Sequence, residues 1–148
     1  MPVNIAVTSQ SQAKPAAVFS VLLQVGTWPS WTKISSAELE GGGDPAGRQQ
    51  VGDVRIFRTG GVASRERIVE LVEDRKFVYD NAASPFKSYR GTIELSETPD
   101  GGTGVAWSAT MEPKMPFTGA FWRWYLTRFL QGIANGLAAY AANDASAE

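Results

Sequence analysis

Apolar residues fall on every second position at the start of the chain, where Val3, Ile5 and Val7 alternate with Asn4, Ala6 and Thr8. A period of two marks a strand with one buried face. Ser9 to Pro15 breaks the pattern. Proline suits a first helical turn, and Ala16 to Leu23 then reads as a helix with Phe19, Leu22 and Leu23 on one face. Gly26 ends it. Thr27-Trp28-Pro29-Ser30-Trp31 follows as a short turn or second helix. Two indole rings this close each need a large buried area, so the corner reads first as a core anchor.

From Ile34 to Pro113 the chain reads as a strand meander. Ser36 to Glu40 is strand-like and ends in Gly41-Gly42-Gly43; Asp44 to Gln50 is a polar loop. Val51 to Thr59 is a strand, Gly60-Gly61 a turn, and Ser64 to Val72 the next strand. Asp74-Arg75 is a tight turn before Lys76 to Ala82, and Ser84-Pro85-Phe86 is a loop before Tyr89 to Ser96. Pro99-Asp100-Gly101-Gly102 is a strong turn signal before the last strand, Thr103 to Met111, which Pro113 and Pro116 stop. Strands at this spacing with short polar turns predict an antiparallel sheet. Tyr89, Gly91, Ile93 and Leu95 share one face, as do Val105, Trp107, Ala109 and Met111, while the opposite faces are polar. The sheet is therefore apolar on one side and wet on the other.

The period becomes helical from Phe117 to about Ala142, with Trp122, Leu126, Phe129, Ile133, Leu137 and Tyr140 on one stripe. Such a helix spans about 39 Å at 1.5 Å per residue, enough to cross a small sheet. Residues 1–142 are expected to form one domain, and Asn143 to Glu148 to fray. Only this helix is available to cover the apolar side of the sheet, so a gap is expected between them. Gly119, Gly132 and Gly136 sit within it, at about 1 kcal/mol each relative to alanine. Close backbone approach and room for a ligand are both open as reasons.

The strand from Ser64 to Val72 has two registers. If the Asp74-Arg75 hairpin pairs Val72 with Phe77, then Glu66, Ile68, Glu70 and Val72 share the face of Phe77 and Tyr79. A slip by one residue turns Arg67, Val69 and Leu71 inward instead.

Composition removes most chemistry. There is no cysteine and no histidine, so thiolate nucleophiles, disulfides, cysteine zinc sites and histidine bases are excluded. Asp53, Asp80 and Asp100 lack metal-ligand spacing, and Gly41-Gly42-Gly43 lacks the lysine and helix of a phosphate loop. No metal and no cofactor are expected. A net charge of −1 offers no field for nucleic acid. The first residues show no secretory pattern and no run reaches a membrane span, so a cytoplasmic location is expected.

The order of elements resembles the START/SRPBCC superfamily, the helix-grip fold, and within it the polyketide cyclase/dehydrase-like branch, which also takes in plant abscisic-acid receptors and pollen-allergen ligand carriers. Pro15-Ala16-Ala17-Val18-Phe19 with Trp28-Pro29-Ser30-Trp31 looks like that family's first helices. Val51-Gly52-Asp53-Val54-Arg55, Arg65-Glu66-Arg67-Ile68, Tyr89-x-Gly91-Thr92-Ile93 and Val105-x-Trp107 look like four of its strands. The resemblance covers roughly residues 3 to 142. It implies an α+β fold in which a curved antiparallel sheet of about seven strands wraps a long C-terminal helix, with two short helices after the first strand. It also implies a cavity between sheet and helix, with Arg55 and Glu66 at the pocket or its mouth and Gly60-Gly61-Val62-Ala63 in the position of a gate. The receptors' gate sequence and His-Arg-Leu latch are not reproduced here, so hormone sensing is not implied.

The expected function is binding or transport of a small, largely apolar molecule, such as a lipid, polyketide or aromatic metabolite. Arg55, Glu66, Ile68, Tyr79, Tyr89, Trp107, Phe121 and Tyr125 are the candidate ligand contacts. A carboxylate in an apolar pocket has a raised pKa unless paired, so the alternative is a cyclase/dehydratase-type enzyme using Glu66, Arg55 or Tyr79. No catalytic residue is assigned. The aromatic cluster at Phe117, Phe121, Trp124 and Tyr125 either caps the pocket or forms an exposed patch for a partner, a homodimer included.

Overall fold

The computed structural model describes residues 2–44, 47–82 and 86–147. Its elements run β1 (Val3–Ser11), α1 (Pro15–Leu23), a 3-10 helix (Val25–Ser30), β2 (Ser36–Leu39), β3 (Val54–Thr59), β4 (Val62–Val72), β5 (Lys76–Ala82), β6 (Phe86–Glu97), β7 (Thr103–Pro113) and α2 (Gly119–Ala147). The strands form one antiparallel sheet in the order β1-β7-β6-β5-β4-β3-β2. Every neighbour pair except β1–β7 is consecutive in sequence, as in a meander. α2 lies across the apolar face of this sheet. It is the helix-grip arrangement the order of elements implied.

Local chemistry explains the element ends. Pro15 occupies the first turn of α1, and the backbone N–H groups of Ala17 and Val18 both reach the Lys14 carbonyl. Thr59 pairs with Val62, so Gly60-Gly61 is a two-residue hairpin loop. Between β6 and β7 the Asp100 carboxylate accepts from the Thr98 hydroxyl and the Gly102 N–H, closing the expected turn.

Several boundaries, and the buried stripe of α2, differ from the sequence expectation. β3 starts at Val54, because residues 51–53 turn and the Gly52 N–H bonds to the Ile68 carbonyl. β6 starts at Phe86, earlier than Tyr89; the rest of the expected loop, Ser84-Pro85, lies outside the described residues. α2 continues through Ala147, past the expected stop at Ala142, and the side chains beyond Asn143 in the expected frayed tail lie outside the described residues. The buried stripe of α2 is Leu126, Leu130, Ile133, Ala134, Leu137, Ala138 and Ala141. It is rotated from the expected one, so Phe129 is 38% exposed and Trp122 and Tyr140 are only partly covered.

β4 resolves its two registers by using both. Glu66 pairs with Asn81 and Ile68 with Tyr79, but Glu70 then pairs with Val78 and Leu71 with Phe77. Val69 is the extra residue of a β-bulge, which flips the alternation. Glu66 and Ile68 therefore point into the core as the first register predicts. Glu70 and Val72 face solvent, which corrects their inward placement, and Leu71 is half-buried beside Phe77.

The core fills the space between the sheet and the helices, with Phe19, Leu22, Leu23, Phe77, Ile93, Trp107, Met111, Leu130 and Leu137 almost fully buried. Hydrogen bonds tie α2 to β1: the Ser11 hydroxyl donates to the Ala138 carbonyl at 2.7 Å and the Gln131 amide to the Thr8 carbonyl at 2.8 Å. The polar loop before β3 is anchored by buried Gln49, whose Oε1 accepts from the Val25 N–H at 2.8 Å. Among the described residues, no helix is long and apolar enough to cross a membrane.

Candidate functional site

The site grows from the pairing of β3 with β4, which sets Arg55 opposite Glu66. Both side chains point inward, and Arg55 is fully buried. A lone buried guanidinium would be very unfavourable, so its surroundings are informative. Arg55 Nη2 donates to Glu66 Oε1, and Nη1 donates to the Leu22 carbonyl at 2.6 Å. The guanidinium lies 4.7 Å from the Trp28 ring centre, 4.7 Å from Phe77 and 5.4 Å from Phe57. These π-faces attract a desolvated cation. Arg55 Nε is buried without a partner. The Trp-Pro-x-Trp corner thus anchors the core and also roofs the arginine. The Trp28 and Trp31 rings pack at 4.6 Å with planes tilted by 46°, and the Trp28 indole N–H reaches the same Leu22 carbonyl at 3.4 Å.

Glu66 stands between this cation and a cavity. Burial pushes its carboxyl above the ordinary carboxylate range, and the charge and hydrogen bond of Arg55 pull it back without overcoming burial. Beyond it lies a tyrosine pair. The Trp107 N–H donates to the Tyr79 hydroxyl at 3.0 Å, and the Tyr79 and Tyr89 hydroxyls interact in turn. Both phenols are pushed up, mainly by burial. Gly91, opposite Tyr79 in the β5–β6 ladder, makes room for that ring; any Cβ there would collide with it.

These groups line a cavity of about 90 Å³ between the sheet and α2. Its apolar wall is Trp28, Ile34, Phe57, Trp107, Phe129, Leu130 and Ile133; its polar side is Glu66, Asn81, Tyr79, Tyr89, Ser64 and Thr59. Asn81 Oδ1 is buried with no hydrogen-bond partner. Exposed Thr59 and half-exposed Phe129 put the mouth between the β3–β4 hairpin and α2. A wider depression of about 630 Å³ lies on the wet side of the sheet, over Arg90, Thr92, Ser108 and Thr110. It is open surface whose main charges, Asp80 and Arg90, are already paired at 2.6 Å, so it is not the site.

Of the eight residues singled out in the sequence, Glu66, Tyr79, Tyr89 and Trp107 line the cavity. Arg55 sits behind Glu66, and Ile68 is buried in the core away from the lining. Phe121 and Tyr125 do not line it; they are 54% and 46% exposed on the outer side of α2. Asn81 was missed, although the period of two from Tyr79 puts it on the inward face. Trp28, Phe129 and Ile133 were read as packing only, because nothing in their spacing separates a core wall from a cavity wall.

A family model described as "Polyketide cyclase / dehydrase and lipid transport" matches residues 2–142. The chain belongs to this family. Solved structures agree at the level of the fold. A protein from Nitrosospira multiformis shares 20% identity and a TM-score of 0.73, covering 97% of this chain and 99% of that one. A START superfamily protein from Mycobacterium smegmatis shares 12% identity with a TM-score of 0.77, covering 95% and 97%. The chain also overlays 52% of StfQ, a di-domain ARO/CYC from the steffimycin biosynthetic pathway, at 15% identity and a TM-score of 0.78, with 99% of this chain covered. No curated protein sequence matches the chain.

Proposed function

We propose that the chain binds a small, largely apolar molecule bearing a hydrogen-bond donor, held between the sheet and α2. Asn81 Oδ1 carries this reading: it is a buried acceptor left without a partner on the polar side of a cavity whose other wall is aromatic and aliphatic. Leaving such a group unpaired costs about 1–3 kcal/mol, which a bound hydroxyl or N–H returns. Family membership supports ligand binding of this kind. The cavity of about 90 Å³ suits a single ring. A larger ligand requires Phe129 and Ile133 to swing aside, since pockets for drug-sized ligands run to about 300–1,000 Å³.

Titration calorimetry with phenol and toluene tests the donor requirement. Phenol is expected to bind at least about tenfold more tightly than toluene, in line with one hydrogen bond to a buried acceptor, and Asn81→Leu to remove the preference. Equal affinities for the two probes would overturn it.

One observation favours a second reading, an enzyme of the cyclase type. Glu66 has a raised pKa, faces the cavity and stands close to two phenols. A positioned acid or base contributes about 10²–10⁴-fold in rate. For any substrate found to be turned over, Glu66→Gln should lose that factor while binding persists; unchanged turnover would remove Glu66 from the chemistry.

A further inference from the structure

Most of the exposed large apolar side chains among the described residues gather at one end of α2 and the segment before it. Met115 is 69% exposed, Phe117 fully, Phe121 54%, Trp124 58% and Tyr125 46%. Phe121, Tyr125 and Phe129, one helical turn apart, stack in a ladder with ring centres 6.2 and 6.4 Å apart and planes within 16° and 7° of parallel. Phe117 has a left-handed backbone, φ 66°, uncommon for a bulky residue, and it holds the ring out in solvent. Scattered surface aromatics need no explanation, but a contiguous patch of this kind marks an interaction surface.

Charge identifies the partner. Residues 113–143 contain Lys114, Arg123 and Arg128 and none of the chain's 15 acidic residues, although the chain as a whole carries −1. All three cations are exposed; the Arg128 guanidinium sits 5.6 Å from the Trp124 ring centre, within the aromatic face, while Arg123 flanks that face on the β1 side, its Nε donating to the Asn4 carbonyl at 3.4 Å. Lys87 extends the rim from the start of β6, where Lys87, Lys114 and Arg123 outnumber the one acidic residue, Glu112. A helix face mixing Trp, Tyr and Phe with Arg and Lys matches a bilayer interface with anionic headgroups: rings enter the acyl boundary and cations meet phosphates. A second copy of the chain fits less well. A two-fold interface through this face would gather the exposed cations of both copies, with Glu112 as the one acidic residue lining the same surface among the described residues.

We propose that the Met115–Phe129 face docks on an anionic lipid surface. Phe129 is the inner rung of the ladder and also a wall of the cavity. Docking therefore places the mouth of the cavity against the bilayer, where an apolar molecule can pass without crossing water. The docking itself does not depend on the proposed ligand.

Flotation of the intact chain with vesicles of phosphatidylcholine, alone or mixed with phosphatidylglycerol, tests this. Binding is expected to the mixed vesicles, falling as salt rises. Lys114→Gln with Arg128→Gln should weaken it about thirty-fold, at one basic contact's worth per side chain. Phe121→Ser with Trp124→Ser should abolish it, and Val51→Ser, at an exposed apolar position elsewhere, should leave it unchanged. Circular dichroism checks that each variant folds. No binding to mixed vesicles, or binding insensitive to both double variants, would overturn the proposal. A doubled mass in light scattering that the Phe121/Trp124 variant reverses would overturn it in favour of a second copy.

Discussion

Arg55 is sealed from solvent, and its neighbours compensate for all of the guanidinium but Nε. Glu66, the Leu22 carbonyl and three aromatic faces replace its hydration shell. Replacing a buried ion pair as a whole is often neutral or stabilising, whereas removing one partner strands a charge. Glu66→Ala should therefore lower stability by about 3–5 kcal/mol in urea denaturation, and Arg55→Met with Glu66→Leu should recover most of that loss. A single substitution that costs under about 1 kcal/mol would contradict a buried pair, since such values belong to exposed ones. The tyrosines give a pH test. Burial raises both phenols above their ordinary value, so the folded state holds their protons more tightly than the unfolded chain. Their contribution is full below the unfolded tyrosine value near about 10 and is lost as pH rises through the higher folded values. In absorbance titration Tyr79 and Tyr89 should ionise only as the chain unfolds; Phe substitution at both should delete that step. Ionisation of either within the folded chain would contradict their burial. Tyr79, Tyr89 and Trp107 were legible in the sequence because period-two alternation puts each on an apolar face; alternation left Glu66 with two registers, and only the family resemblance put it at the pocket. That Arg55 turns from the cavity to the Leu22 carbonyl was not legible, because α1 meets β3 only through tertiary packing.

The bulge in β4 shows where pattern reading stops. Both registers of Ser64 to Val72 have sound alternation, and one extra residue, Val69, lets the strand obey each in turn. No local signal marks it, since the bulge is set by pairing with β5. The glycines of α2 divide in the same way. A Cβ at Gly136 would collide with the Trp31 backbone carbonyl, so this position permits close approach of the helix to the tryptophan corner. Gly132 is exposed, and a Cβ there would meet nothing within 4 Å. Gly132→Ala should therefore stabilise by about 1 kcal/mol, the helix propensity difference. Gly136→Ala should destabilise by about 1–3 kcal/mol through overpacking. Thermal melts of the two variants moving in the same direction would contradict this distinction. Neither glycine faces the cavity lining, so room for a ligand is not the reason for them.

At the scale of the whole molecule, a seven-stranded sheet grips one long helix and leaves a small, polar-tipped cavity where their curvatures part. The sheet, its turns and its long helix were all readable from hydrophobic period and turn chemistry. The size of the cavity was not, because it depends on how far α2 rotates: the stripe that packs is Leu126, Leu130 and Ile133, and Phe129 is left at the mouth. The same rotation turns Phe121 and Tyr125 outward, from candidate ligand contacts into the exposed face proposed to meet lipid. The cavity under Phe129 and Ile133 is proposed to receive one apolar molecule. Native mass spectrometry of the freshly purified chain beside its Ile133→Trp variant, whose larger side chain fills the cavity, tests it most directly. We predict one small-molecule adduct per chain that is absent from the variant. A chain that carries no adduct, or an adduct that survives Ile133→Trp, would contradict the account.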